Sequence, residues 1–267
     1  MLKKIKGYAM PIGMVSGIVF YKWVSELSFI TPYLIFTMLL LTFVKIAWRE
    51  IRFTPMHFIL AGIQIVGSIS VYFILKPFNI ILAQGAMMCF LAPTATSAPV
   101  ITNMLKGNVA SLTAYSLLSN LTVVIIAPLF FSYIGDNQEM TFLQSALIIA
   151  RHVAFLLLVP FLAAFLLRKI APKPTQFLQR HSGISFYLWI AALIIVVGRT
   201  VNFVIEHGTE HIWTEIFIAL AAFVICGIQF YFGRRIGRRY GDTVAGGQGL
   251  GQKNTVLAIW MSQTYLN

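Results

Sequence analysis

Nine apolar runs follow one another along the chain, most near twenty residues long. They cover about 8–23, 29–47, 56–75, a run from 77 interrupted at 91–99 (LAPTATSAP), 110–134, 142–167, 184–205 and 212–233. The ninth begins in the glycine-rich stretch VAGGQGLGQKN, 244–254, and continues as TVLAIWMSQTYLN to the end. About 20 apolar residues is the length that crosses a bilayer as a helix. No ~10-residue alternation marks a membrane β-barrel. The pattern therefore predicts an all-α polytopic membrane protein with a single transmembrane domain over 1–267. Composition agrees: 58% of residues are apolar and 10% charged, against roughly 25% charged in an average soluble domain. A soluble enzyme, a disordered tail and a coiled coil are excluded. The start, MLKKIK before a short apolar run, lacks a small-residue cleavage site and is read as the first helix.

Charge then orients the helices. With the N-terminus in the cytoplasm, the inner ends receive Lys3, Lys4, Lys6, Lys45, Arg49, Arg52, Lys106, Arg168, Lys169, Lys173, Arg180, Arg234, Arg235, Arg238 and Arg239. The outer side receives Lys22, Lys76 and Arg199, and two cations, Arg151 and Lys253, lie at membrane depth. Fifteen against three is a positive-inside bias, so the net charge of +12 reflects topology and not a nucleic-acid partner. GRRIGRRY, 233–240, reads as a stop signal at an inner helix end. The expected location is a bacterial inner membrane. Cys89 and Cys226 lie inside apolar runs and read as packing residues, with no disulfide or metal site.

The runs also repeat. The second and seventh begin near 29 and 184, the third and eighth near 56 and 212, and the two interruptions near 91 and 246, offsets of 155, 156 and 155. An odd number of spans separates equivalent helices, so the halves enter the membrane in opposite senses, as in an inverted-topology repeat. The first repeat covers about 8–134 and the second about 141–267. Each half holds one broken segment. In one, Pro93 and Pro99 bracket Thr94, Thr96 and Ser97; in the other, Gly246, Gly247, Gly249 and Gly251 surround Gln248 and Gln252. Proline removes a backbone donor and glycine relaxes a helix. The freed polar groups are tolerated in a membrane only where they line protein or a watery cavity. Kinked packing helices with close glycine contacts are the simpler reading of one break. Two at matched positions point to a transporter's binding site.

LAPTATSAPVITNMLKGNVA and GQGLGQKNTVLA resemble the two crossing regions of the bile acid:sodium symporter family. The resemblance covers most of the chain in helix order and spacing. It implies inverted five-helix repeats whose fourth and ninth helices are unwound and cross, and transport of bile acids or other organic anions with two sodium ions. Where the family has a Ser-Asn pair, this chain reads Ala98 and Pro99; where it has a glutamate, Gly249; where it has a glutamine, Lys253, before a retained Asn254. A third-helix glutamine survives as Gln64. Thr96, Ser97, Ser116 and Asn254 are polar groups near the family's ion sites. By the same offset the tenth helix would begin near 265, so it is read as missing and the sequence as a fragment.

The eight acidic residues, Glu26, Glu50, Asp136, Glu139, Glu206, Glu210, Glu215 and Asp242, all fall toward one side or the other. None is positioned to hold sodium at mid-membrane. Lys253 is. Its ammonium can stand in for a bound cation or attract a substrate carboxylate; the plainer reading is a snorkelling side chain. Arg151 and His152 belong to the amphipathic start of the sixth helix, near the outer interface. Glu206, His207, Glu210 and His211 have helical spacing but not a metalloprotease motif, and Asn120-Leu121-Thr122 is a mid-helix sequon without meaning. The chain is therefore read as a secondary active transporter of a small organic anion of the bile-acid-like, pantothenate or keto-acid class, working by alternating access. The binding residues are Gln64, Thr96, Ser97, Ser116, Gln248, Gln252, Lys253 and Asn254, with sodium or a proton as coupling ion and no cofactor. An intramembrane enzyme needs a carboxylate, a metal cluster or an activated nucleophile at depth, and a channel needs a filter.

Overall fold

A computed structural model describes residues 2–44, 51–134, 141–180, 184–207 and 212–266. Lys45, Arg49, Glu50, Asp136, Glu139, Glu210 and His211 lie outside the described residues. The helices are α1 (Leu2–Val19), α2 (Tyr21–Glu26), α3 (Thr31–Val44), α4 (Pro55–Leu75), α5 (Ile80–Leu91), α6 (Ala98–Met104) and α7 (Val109–Ile134). They continue with α8 (Phe142–Ile170), α9 (Pro172–Arg180), α10 (Ile184–His207), α11 (Ile212–Arg239), α12 (Thr243–Gly251) and α13 (Thr255–Tyr265). A 3₁₀ turn, Leu27–Ile30, joins α2 to α3. Among the described residues, six stretches are long and apolar enough to cross a membrane: Tyr21–Val44, Pro55–Leu75, Val109–Ile134, Phe142–Ile170, Ile184–Glu206 and Trp213–Arg239. The fourth and ninth runs are each split in two, as α5/α6 and α12/α13.

The chain forms two compact units. One contains 1–45 and 159–212, the other 46–158 and 213–267. In the first, α10 packs against α1, α2 and α3. Glycine makes the approach possible: a Cβ on Gly17 would lie 2.7 Å from the carbonyl oxygen of Ile194. The amide of Gln179 on α9 donates to the Val44 carbonyl at 2.8 Å, tying that short helix to the end of α3.

The second unit holds both broken helices. α4 lies against α5 and α7, and α12 against α4, α6 and α7. Its core includes Met56, Leu60, Ala61, Tyr115 and Leu250, drawn from α4, α7 and α12. The glycine-rich stretch differs from its reading as a break. Gly246, Gly247, Gly249 and Gly251 are all helical and buried within α12, and the helix ends only at Gln252. They serve close packing. A Cβ on Gly246 would sit 2.5 Å from the Gly233 oxygen and 2.9 Å from the Gly237 Cα of α11, and one on Gly249 would sit 2.6 Å from the Tyr115 ring. Pro99 likewise belongs to the first turn of α6 and not to the break, at a position where a missing N–H costs nothing. The breaks themselves are 92–97 and 252–254.

Gly246→Val follows from this packing. Its neighbours are backbone atoms of α11 that cannot rotate away, so the helices must separate. Overpacking of this kind costs roughly 1–3 kcal/mol or more. Thermal unfolding in detergent is expected to show marked destabilisation, while Gly62→Ala, with nothing within 4 Å of its Cβ position, is expected to leave the transition unchanged.

Candidate functional site

The two interruptions meet. Thr94 and Lys253 form an antiparallel bridge. Beside it, the Ala95 N–H donates to the Gln252 carbonyl at 2.9 Å and the Asn254 N–H to the Pro93 carbonyl at 2.8 Å. The Thr94 hydroxyl donates to the Gly249 carbonyl at 2.9 Å. Two short pieces of extended chain from opposite halves of the sequence thus hold each other where both helices stop.

The end of α5 explains which residues gather there. Pro93 has no N–H, so the Cys89 carbonyl loses its helical donor, and Gln229 Nε2 of α11 donates to it at 2.9 Å. Thr94 N–H, the donor a continuous helix would give Phe90, goes to Ser119 Oγ at 3.2 Å. Lys253 Nζ donates to the Phe90 carbonyl instead, at 2.9 Å. Ala95 N–H has gone to Gln252, and Gln64 Nε2 donates to the Leu91 carbonyl at 2.7 Å and the Ala92 carbonyl at 3.4 Å. Side chains from α4, α11 and the second break therefore satisfy in turn the carbonyls that the break exposes, as buried backbone requires.

Gln64 is the hub of this arrangement. It is fully buried. Its Oε1 accepts from the hydroxyls of Tyr115, at 3.2 Å, and Ser119, at 2.9 Å. Both lone-pair directions of that oxygen are occupied by α7. Electrostatics select the cation: α5 and α12 both end at the crossing, and helix C-termini carry partial negative charge. The Lys253 ammonium lies on the last turn of α5. No metal-binding group of three or more His, Cys, Asp or Glu occurs among the described residues.

The other predicted residues take different roles. Asn254 is buried, and its Oδ1 caps α13 by accepting from the Leu257 N–H at 3.1 Å. Gln248 accepts the Gln252 N–H on its carbonyl, and the amide oxygens of both are buried without a hydrogen-bond partner. Asn120 Oδ1 and Gln229 Oε1 are in the same condition. Ser116 is buried, and its carbonyl accepts from Asn120 Nδ2 at 2.7 Å. Thr96 is half-buried, and Ser97 is exposed with no side-chain cap bond to α6. Thr94, one of the polar residues of the first break, completes the crossing with Ser119, Tyr115 and Gln229, whose positions in the sequence did not single them out as a site. A polar residue inside an apolar run was the available signal for Ser119 and Gln229.

A second polar cluster lies at the start of α4. His57 is fully buried. Its Nδ1 accepts the Thr54 N–H at 3.0 Å and its Nε2 lies 3.0 Å from Ser111 Oγ. An Nδ1 that accepts leaves the neutral ring's proton on Nε2, so the ring donates to Ser111 and is not its general base. This pair is wired to cap a helix, not to activate a nucleophile.

The model of the SBF-like CPA transporter family matches residues 45–266, which takes in both broken helices and the whole crossing. No curated protein matches the chain.

Proposed function

Because the chain belongs to the SBF-like CPA transporter family, we propose that it is a secondary transporter moving a small organic anion by alternating access, with the crossing at its binding centre. It is an integral membrane protein of a transporter family. The observation that carries the reading further is the Lys253 ammonium on the Phe90 carbonyl at the joint of two helix ends. An ammonium there does what a bound monovalent cation would do: it carries one positive charge and satisfies the carbonyls at the end of a broken helix. Gln64, whose oxygen is taken by Tyr115 and Ser119, has no acceptor left for an ion. Lys253 thus replaces at least one sodium, and it is the group that attracts the carboxylate of the substrate or exchanges a proton in its place.

Inverted repeats account for the joint. Thr94 Oγ1 and the Gly249 carbonyl are bonded across 155 residues, the same offset that relates the two halves of the sequence, as expected of residues beside a pseudo-two-fold axis. The unpartnered amide oxygens of Gln248 and Gln252 favour a substrate that carries hydroxyl or amide donors besides its carboxylate. Bile-acid-like compounds, pantothenate and hydroxylated keto acids all qualify. The orientation that fits the basic residues has the N-terminus and the 234–239 cluster in the cytoplasm of a bacterial inner membrane. The test is uptake by proteoliposomes from a panel of labelled anions, followed by counter-flow of the accepted one. Saturable uptake with counter-flow is expected; non-saturable flux without it would make the protein a channel.

A further inference from the structure

We propose that the pocket at the common start of α4, α7 and α12 is a binding site for a small zwitterion, separate from the crossing. The cavity holds about 300 Å³ and is lined by Arg52, Thr54, Met56, Asn108, Ser111 and Asp242, with Tyr240 at its side. That volume is at the lower end of ligand sites and suits a molecule of amino-acid size. Asp242 begins α12 and Lys253 follows its end, so about 15 Å of helix separates the two. Met56 belongs to the apolar core and forms part of the floor.

The chemistry of the walls selects the ligand. Arg52 and Asp242 share this one cavity, and among the described residues neither has an ion-pair partner. The Asp242 carboxylate does not cap its own helix either. Two opposite charges facing one cavity without meeting each other complement a ligand that carries both. The neutral groups sort in the same way. Asn108 Oδ1 is taken by the Ser111 N–H at 3.1 Å, which leaves its amide N–H groups to donate. Ser111 Oγ receives the His57 Nε2–H, which leaves its own hydroxyl proton free to point elsewhere. Arg52, Asn108 and Ser111 therefore offer donors for a carboxylate, and Asp242 an acceptor for an ammonium. His57 is a positioning residue that fixes the hydroxyl of Ser111.

The test uses full-length protein in nanodiscs and three probes: 4-aminobutyrate, butyrate and butylamine. Calorimetric titration is expected to give tighter binding of the zwitterion than of either half. Arg52→Gln should weaken 4-aminobutyrate about tenfold, to the level of butylamine, and Asp242→Asn about tenfold, to the level of butyrate, each equivalent to about 1.4 kcal/mol. Arg52→Lys and Asp242→Glu should retain most of the affinity, which separates lost charge from lost fold. Equal or absent binding of all three probes by the unmutated protein, or unchanged affinity in both neutral variants, would overturn the assignment.

Discussion

Lys253→Gln is expected to lose substrate uptake by tenfold to a hundredfold, beyond the loss of stability that follows from removing its bond to the Phe90 carbonyl. The shorter neutral amide cannot carry the charge, and it leaves the Phe90 carbonyl with a weaker donor or none. A hydrogen bond to a charged group is worth about 1.5–3 kcal/mol, and a cation at a helix C-terminus adds roughly 0.3–2 kcal/mol. If Lys253 only filled space, the loss would appear in stability and not in uptake. Rate measurements on proteoliposomes containing equal amounts of each protein separate the two, and unchanged uptake would sink the proposed role.

Gln64→Ala is expected to act in the opposite way, on the fold first. The substitution strips the Leu91 carbonyl and the hydroxyls of Tyr115 and Ser119 of a partner at one stroke. Each buried polar group left unmade costs about 1–3 kcal/mol, so the variant loses roughly 3 kcal/mol or more. It should unfold at markedly lower temperature in detergent or fail to accumulate. Ser97→Ala is the contrast. Ser97 is exposed and caps nothing, so its effect on stability should fall within about 0.5 kcal/mol. Any loss of uptake in that variant then reports on substrate contact. Equal unfolding temperatures for Gln64→Ala and the unmutated protein would refute the hub assignment.

The sequence made the first break legible because proline is unambiguous: Pro93 must free the Cys89 carbonyl whatever surrounds it. It did not disclose who answers. Gln229, 140 residues away, and Ser119, 25 residues away, are recruited by packing, and one polar residue in an apolar run looks like any other. The glycines of α12 misled for a related reason. A glycine run loosens a helix in isolation, but here Gly233 and Gly237 of the facing helix let the backbones touch, so the run stays helical and buried. Only the partner helix decides between those outcomes. Long apolar elements such as Pro55–Leu75 and Val109–Ile134 were readable nearly to their ends, since bilayer thickness alone fixes their length. The pocket of Arg52 and Asp242 was unreadable, because three helix starts far apart in sequence build it.

The proposed coupling departs from that of the sodium symporters that the crossing resembles. A sodium ion about 4 Å from the Lys253 ammonium would meet roughly 4 kcal/mol of repulsion at an effective dielectric of about 20, about a thousandfold in affinity. The measurement that bears most directly on this is uptake of the accepted anion by the unmutated full-length protein, in sodium-free buffer with potassium or choline and again with sodium. The same uptake is expected in both. Strict dependence on sodium would contradict it.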